Sequence, residues 1–238
     1  MANATRHITA TKAPRKTKKY SIIIPAAGAG TRMITYGAKS LIKLTTHKTV
    51  LDRQISLVDK VFGKYEIVLV TGFQSERVMN AAPHHLIQVQ NPHYQETNVA
   101  YSIGLGLRAA TTNNIVILYG DLVFNVEALR VPFDRDSALV VCNTMKEEEV
   151  GCVLHKNMVE QIFYGLDNKW AQIAYFTGQP LEMLRTQTWD KTNNKCFTFE
   201  VINNILDAGH QIKAFIPKNA QAIDIDTSKD IERAKKIK

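Results

Sequence analysis

A glycine loop followed by two basic side chains is the first part of the sequence that could do chemistry. The stretch Ser21–Met33 reads SIIIPAAGAGTRM, so an apolar run leads directly into small residues. Small residues let a backbone approach a ligand closely, and the exposed N–H groups of such a loop attract anions. Arg32 and Lys39 follow and provide positive charge where phosphates would lie. This pattern predicts a nucleoside triphosphate site.

The loop differs from the two common phosphate-binding glycine signatures. Gly28 and Gly30 match the start of the dinucleotide signature G-x-G-x-x-G, but Met33 occupies the place of the third glycine. The G-K-[S/T] ending of a P-loop is also absent. A basic side chain at Arg32 suits a triphosphate better than a dinucleotide. The alternative interpretation is a plain strand-to-loop turn that binds nothing.

Three aspartates form a second candidate group. Asp121 follows the apolar run 115–119, whereas Asp224 and Asp226 are two residues apart in an extended stretch and therefore share a face. Carboxylates around one Mg²⁺ could bridge the oxygens of a phosphate in octahedral geometry. The alternatives are a turn residue for Asp121, an edge-strand position for Asp224 and a helix cap for Asp226.

Polar and aromatic residues supply candidates for the rest of a ligand. Asn98 and Ser102 are four apart, so one face of a helix would present both to a base or ribose. The alternatives are helix capping for Asn98 and a solvated position for Ser102. Most aromatic residues of the second half should lie in the core, but some could line an acceptor pocket or enclose a quaternary amine. They are Tyr164, Trp170, Tyr175, Phe176, Trp189 and Phe199.

The sequence lacks the usual patterns of covalent and zinc-dependent catalysis. No G-x-S-x-G motif is present, and the adjacent pair His84 and His85 does not have the helical spacing of metal ligands. Cys142, Cys152 and Cys196 are far apart and form no C-x-x-C motif. These cysteines argue against a disulfide framework and a structural zinc site, and they favour a reducing compartment.

Strand and helix patterns alternate through the first 142 residues, which predicts an α/β fold with a mainly parallel sheet covered by helices on both faces. Ligands of such sheets bind at the carboxyl ends of the strands, where both the glycine loop and Asp121 would lie. After residues 147–149 the pattern becomes irregular. Strands are expected at 21–27, 66–71, 86–90, 115–119, 138–142, 151–155, 172–177, 212–216 and 222–225, and helices at 50–62, 75–82, 98–110, 180–184, 197–206 and 227–237.

The charge of the chain is concentrated near its start. The net charge is +8, and residues 1–51 contain ten Lys or Arg residues and no acid. Residues 1–19 have almost no large apolar side chains, so we expect a disordered basic arm and a single domain from 20 to 238. The arm could tether nucleic acid, act as a transit peptide or be a solvated tail. No apolar run approaches the roughly 18 residues of a membrane span, so we expect a cytoplasmic protein without a membrane partner.

Together these motifs resemble those of the nucleotidyltransferase family that activates sugar phosphates and phosphocholine. Residues 24–33 look like its A-A-G-x-G-[S/T]-R-[L/M] signature, and residues 37–41 look like its P-K-x-L element with Ala38 in place of the usual proline. The short phosphocholine cytidylyltransferase-like branch is the most similar. Its motifs match at Asn91-Pro92-x-Tyr94, Thr97-Asn98-x-x-Tyr101-Ser102, Tyr119-Gly120-Asp121 and Asp224-Ile225-Asp226-Thr227.

The resemblance implies a Rossmann-like GT-A nucleotidyltransferase fold and a Mg²⁺-dependent reaction. A phosphorylated small-molecule acceptor would attack the α-phosphorus of an NTP, with CTP favoured and UTP or dTTP as alternatives, and pyrophosphate would leave. By matching position, Arg32 would hold the β- and γ-phosphates and Lys39 the α-phosphate, while Asp121 and Asp226, with Asp224 as a third candidate, would hold the metal. NTP contacts are expected from Ala26, Ala27, Gly28, Gly30, Thr31, Gly72, Asn98 and Ser102, and acceptor contacts, within residues 145–210, from Glu200, Tyr175 and Trp189.

Two other functions are compatible with the same residues. Asp224-x-Asp226 is similar to the D-x-D motif of GT-A glycosyltransferases that use a nucleotide-sugar. The loop from Gly28 to Lys39 argues against that function, because a diphosphate donor has no leaving pyrophosphate to hold. A non-catalytic nucleotide- or nucleic-acid-binding protein is the second alternative. Nucleic acid is not expected as a partner except through the basic arm, and the sequence does not indicate an oligomeric state.

Overall fold

The computed structural model describes residues 20–132 and 136–238. The predicted disordered arm, residues 1–19, lies outside the described residues. Eleven strands and six α-helices form within these ranges. The strands are β1 Tyr20–Ala26, β2 Tyr65–Thr71, β3 Ile87–Gln90, β4 Ile115–Leu118, β5 Leu122–Phe124, β6 Ala138–Val141, β7 Val150–His155, β8 Met158–Tyr164, β9 Trp170–Phe176, β10 Lys213–Phe215 and β11 Ala222–Asp224. The helices are α1 Val50–Val61, α2 Ser75–Ala81, α3 Val99–Ala109, α4 Gly178–Trp189, α5 Thr198–Asp207 and α6 Ser228–Ala234.

Nine strands form one mixed sheet in the order β3-β2-β1-β4-β9-β6-β10-β8-β7. Strands β3, β2, β1 and β4 pair in parallel. Strand β9 is antiparallel to both β4 and β6, and β8 is antiparallel to both β10 and β7. Because only these two strands run in the opposite direction, the sheet is mainly parallel, which confirms the prediction. Strands β11 and β5 form a separate antiparallel ribbon.

Strand β1 is central and packs against helices on both faces of the sheet. Its residues Ile22 and Ile24 are fully buried in the cluster that includes α1 and α2, and Ile23 is fully buried in the cluster that includes α3, α4 and α5. Successive strand side chains point to opposite faces, so a continuous apolar run is what a strand covered on both sides requires. The predicted arrangement with helices on both faces is therefore confirmed.

Several boundaries differ from the expectation drawn from sequence. The helix expected at 180–184 extends over Gly178–Trp189. Strand β8 was not predicted, because few of its residues are buried and its sequence lacks a continuous apolar run. A capping box begins the last helix, since Asp230 accepts hydrogen bonds from the backbone N–H (2.8 Å) and the hydroxyl (2.9 Å) of Thr227. Within the described ranges, no helix is long and apolar enough to cross a membrane.

The close contact between α3 and β1 gives a test of this packing. A Cβ added at Gly106 would lie 2.5 Å from Cγ2 of Ile23. We expect Gly106→Ala to lower the free energy of unfolding by about 1–3 kcal/mol, because the added methyl group overfills the interface. The control is Gly63→Ala, where an added Cβ meets nothing within 4 Å. Urea denaturation measures both, and equal stability of the two variants would contradict this packing.

Candidate active site

A pocket of about 250 Å³ opens at the carboxyl ends of β1 and β4, next to the first turn of α3. This is the edge of the sheet at which ligands of such folds bind. The pocket collects most of the residues that the sequence assigned to an NTP. Among its lining residues are Ala26, Ala27, Gly28, Gly30, Lys39, Asn98, Ser102 and Asp121.

The glycine loop has a shape that requires glycine at Gly30. This residue adopts a left-handed conformation (φ 54°), and its carbonyl accepts a 2.7 Å hydrogen bond from the N–H of Met33 as a 3₁₀ helix begins. A Cβ at Gly30 would also lie 2.7 Å from Cε of Lys39. Gly72 does not line the pocket. A Cβ there would lie 2.7 Å from the carbonyl oxygen of Ala27, so the lack of a side chain at Gly72 allows the glycine loop to pack closely against it. Thr31 is exposed and does not line the pocket.

Lys39 joins two of the predicted metal ligands. Its Nζ lies 2.9 Å from Asp121 Oδ2 and 2.7 Å from Asp226 Oδ1, although these residues are distant in sequence. Burial disfavours the ammonium ion, but the two carboxylates outweigh this effect and raise the pKa of Lys39. Burial also disfavours ionised Asp226, yet its hydrogen bond from Lys39 and the charge of that lysine hold the pKa of Asp226 at about 2. Arg32 is 72% exposed and reaches Asp226 at 3.1 Å from the rim.

The two aspartates converge in a way that fits a magnesium ion. One cation, the Lys39 ammonium, already contacts both Asp121 and Asp226. Carboxylate oxygens are the ligands that Mg²⁺ prefers in proteins. Asp224 lies behind this pair, and one oxygen each of Glu149, Asp224 and Asp226 lie within 4.8 Å of one another. The donor set is therefore suitable for a divalent cation.

Lys146 is a site residue that the sequence analysis missed. Its Nζ lies 3.2 Å from Asp224, 3.6 Å from Asp226, 3.2 Å from Asp230 and 3.8 Å from Glu149. The side chain is only 9% exposed. The only signal in the sequence was the charged run Lys146-Glu147-Glu148-Glu149, which reads as a solvated loop.

Helix α1 holds the turn that carries Asp121. The guanidinium group of Arg53 donates to the carbonyl of Phe124 from Nε (3.1 Å) and Nη2 (2.9 Å). The buried side chain of Gln54 donates from Nε2 to the carbonyls of Tyr119 and Leu122, both at 2.7 Å. These bonds attach the backbone on both sides of Asp121 to one rigid helix. No local pattern indicates this support, because Arg53 and Gln54 lie far from Asp121 along the chain.

Asn98 and Ser102 both line the pocket, but their polar atoms also serve the local structure. Asn98 Oδ1 accepts a 2.8 Å bond from the N–H of Val99 at the start of α3. Ser102 is buried and accepts a 3.1 Å bond from Nδ2 of Asn91, which also donates to Thr97 Oγ1 at 3.2 Å. Asn91 thereby ties the loop after β3 to α3. It was part of a recognised motif but was not assigned to the site.

The structure separates the three predicted acceptor residues. Tyr175 is fully buried in the core cluster that includes α1 and α2, and its hydroxyl donates to Asn114 Oδ1 at 2.8 Å. No surface of this ring is open to a ligand, so this prediction was wrong. Trp189 is 66% exposed outside the pocket, with the guanidinium carbon of Arg108 3.9 Å from its ring centroid. Glu200 lies close to the pocket and accepts a 2.6 Å bond from the N–H of the lining residue Phe197.

A family profile for MobA-like NTP transferase domains matches residues 22–191. The chain belongs to this family. It is therefore a nucleotidyltransferase, and the family favours this activity over the glycosyltransferase and regulator alternatives. No sequence among the curated proteins gives a significant match.

Three solved structures illustrate the shared fold. An inositol-1-phosphate CTP transferase from T. maritima has a TM-score of 0.73 at 21% identity, over 91% of this chain and 95% of that one. A CTP:phosphocholine cytidylyltransferase from Streptococcus pneumoniae has a TM-score of 0.74 at 16% identity, over 91% and 97%. A putative glucose-1-phosphate thymidylyltransferase from Bacillus anthracis has a TM-score of 0.71 at 13% identity, over 91% and 94%. These likenesses confirm the predicted Rossmann-like nucleotidyltransferase fold.

The environment of Asp224 predicts a pH dependence of stability. Burial, followed by the charges of Glu149 and Asp226, raises the pKa of Asp224 to about 8. The folded chain therefore holds this proton more tightly than the unfolded chain, so the free energy of unfolding decreases as the pH rises from about 4 to about 8. The Asp224→Asn variant has no carboxyl group at this position, so its free energy of unfolding does not decrease in this way as the pH rises. We expect the melting temperature of the variant to rise relative to that of the wild type across this interval.

Thermal unfolding at a series of pH values measures this effect in the metal-free protein. The matched control is Asp207→Asn, which changes an exposed carboxylate near the end of α5. It should follow the wild-type pH dependence. A constant difference in melting temperature between Asp224→Asn and the wild type from pH 4 to pH 9 would contradict the prediction.

Proposed function

We propose that the protein transfers a nucleoside monophosphate from an NTP, with CTP preferred, to a phosphorylated small-molecule acceptor and releases pyrophosphate in a Mg²⁺-dependent reaction. The observation that carries this proposal is the convergence of Lys39, Asp121 and Asp226 beside the glycine loop, where Lys39 and Asp121 line the pocket. Basic groups and carboxylates at one pocket match the needs of phosphoryl transfer, namely charge neutralisation and positioning.

The NTP would occupy the pocket along the glycine loop. Ala26, Ala27 and Gly28 line this space and would lie against the nucleoside, with Asn98 and Ser102 on the α3 side. Lys39 lines the pocket through a 14% exposed side chain and would hold the α-phosphate. The exposed Arg32 would hold the β- and γ-phosphates from the rim. Thr31 and Gly72 would act through the loop conformation rather than through direct contact.

The aspartates Asp121 and Asp226, with Asp224 behind them, would hold the magnesium ion, which when bound supplies charge neutralisation at the phosphates. If Asp121 and Asp226 held that ion, Lys39 would be free to donate to a phosphate oxygen. An oxygen of the acceptor phosphate forms the new bond to the α-phosphorus, and the bond to the bridging oxygen breaks with its electron pair on pyrophosphate. The reaction needs no covalent nucleophile on the protein.

Aromatic and acidic side chains beside the pocket support a cationic acceptor. The rings of Phe197 and Phe199 stack with centroids 5.8 Å apart, and Tyr164 meets Phe199 edge-on at 5.2 Å. Burial, then the charges of Glu149 and Glu200, raise the pKa of Tyr164, so these acids act on the same ring. Aromatic faces near carboxylates attract quaternary ammonium groups. Phosphocholine therefore suits this region, and a sugar 1-phosphate is the alternative.

The structural relatives are consistent with CTP as the preferred nucleotide. Two of the three are described as enzymes that use CTP, and one of these acts on phosphocholine. The third is described as a putative thymidylyltransferase, so dTTP and UTP are the alternatives to compare. We place the enzyme in the cytoplasm, as one domain over residues 20–238 with its acceptor side in residues 145–210. The basic arm is not part of the proposed site.

Pyrophosphate release tests the proposed reaction. Wild-type protein with Mg²⁺ should release pyrophosphate from CTP when phosphocholine or another phosphorylated acceptor is present. Lys39→Met and Asp121→Asn should each lower kcat/KM by about 10²-fold or more, as does removal of a transition-state charge partner in other enzymes. Lys43→Met, which changes an exposed lysine outside the pocket, is the matched control. No release from any NTP and acceptor pair, or full activity of Asp121→Asn, would refute the proposal.

The aromatic group gives a separate test of the acceptor. Tyr164→Leu should raise the KM for phosphocholine roughly 3- to 10-fold, as expected for the loss of one cation–π contact, and leave the KM for CTP unchanged. Trp189→Leu removes an exposed aromatic ring outside the pocket and should change neither value. Steady-state kinetics with each substrate varied separately measures both. A normal KM for phosphocholine in Tyr164→Leu would point to a different acceptor.

A further inference from the structure

Lys146 lies inside a cluster of carboxylates whose spacing would suit a second metal ion. Glu149, Asp224 and Asp226 each offer an oxygen, and these oxygens lie within 4.8 Å of one another. The Lys146 ammonium lies 3.2 to 3.8 Å from all three. It also lies 3.2 Å from Asp230, which caps α6. The position that a divalent cation would need is therefore filled by a side chain of the protein.

The segment that carries Lys146 is attached to strand β11, which ends at Asp224. Thr144 Oγ1 accepts a 2.8 Å bond from the N–H of Ala222 and donates to its carbonyl at 3.0 Å. Two residues further along both segments, Lys146 meets Asp224. Met145, between them, is buried in the core. The lysine is consequently fixed against β11 before any ligand binds.

The two lysines of the site differ in their access to a ligand. Lys39 lines the pocket and contacts two carboxylates, so it can turn towards a phosphate when another cation takes its place. Lys146 does not line the pocket and contacts four carboxylates from a side chain that is 9% exposed. Moving it would remove the ammonium group that Glu149 and Asp224 share, which is strongly unfavourable in a partly buried site.

We propose that Lys146 is a built-in cation that takes the place of a second divalent metal and positions Asp224 and Asp226 for the first. The carboxylates of the closing segment are thus held in place before metal and nucleotide arrive, and only the space between Asp121 and Asp226 remains for a metal ion. The role of that metal ion rests on the proposed function. The contacts between Lys146 and the surrounding acids do not depend on it. Lys146 is a positioning residue, since it does not face the pocket.

Metal binding to the full-length protein tests this inference without catalysis. Mn²⁺ alone, titrated by equilibrium dialysis and followed by electron paramagnetic resonance, gives the number of ions bound per chain. We expect Lys146→Gln to bind one more Mn²⁺ than the wild type, because its carboxylates are left open. The additional ion should be lost again in Lys146→Gln combined with Asp224→Asn. Lys146→Arg keeps the charge and should bind the wild-type number, as should Lys60→Gln, an exposed lysine of α1.

Thermal unfolding provides a second readout that a general loss of stability would not reproduce. Lys146→Gln should melt at a lower temperature than the wild type in EDTA, and Mn²⁺ should raise its melting temperature by more than that of the wild type. Two Mn²⁺ ions on the wild type, or no additional ion on Lys146→Gln, would overturn the inference even if one variant folds poorly. Failure of the proposed reaction is distinguishable, since it would abolish pyrophosphate release and leave the difference in Mn²⁺ number unchanged.

Discussion

The structure depends on the compensation of negative charge in one small volume. Five acidic side chains, those of Asp121, Glu149, Asp224, Asp226 and Asp230, are brought together around the ammonium groups of two lysines with little exposure. Part of the negative charge is also removed by protonation, since burial and the neighbouring acids raise the pKa of Asp224 to about 8. Without these cations the closing segment could not approach the end of β4, because unpaired buried charges are strongly unfavourable. With them, the carboxylates lie beside the pocket, where the proposed phosphorylated ligand and metal ion would bind.

The fold creates this arrangement by ending several distant segments at one edge of a sheet. Strand β1 delivers the glycine loop, β4 delivers Asp121, and the ribbon of β11 with β5 returns the last carboxylates to the same place. The register opposes Asp224 to Leu122, directly after Asp121. Helix α1 secures the turn between β4 and β5 through Arg53 and Gln54. The turn that carries Asp121 is therefore held by hydrogen bonds to α1, whereas the adjacent pocket is open for a ligand.

Prediction from sequence succeeded where local pattern and chemistry coincide. The apolar run before Gly28 and Gly30 indicated a buried strand that ends in a loop, and the alternation Asp224-x-Asp226 placed both carboxylates together. It failed where the surroundings of a side chain depend on tertiary packing. Tyr175 was assigned to the acceptor because aromatic identity does not reveal whether a ring lies in the core. Lys146 was missed because its role depends on contact with residues about 80 positions away, a pairing that no local rule shows.

The sequence by itself determined the fold class, the glycine loop and the identity of the basic and acidic residues that could act on phosphates. It could do so because strand burial, backbone shape and side-chain charge are local properties of the chain. Only the tertiary structure decided which charges meet, namely that Lys39 joins Asp121 to Asp226 and that Lys146 occupies the cluster behind them. These pairings arise from sheet order and loop attachment, and Coulomb interactions depend on distance in space rather than on distance along the chain.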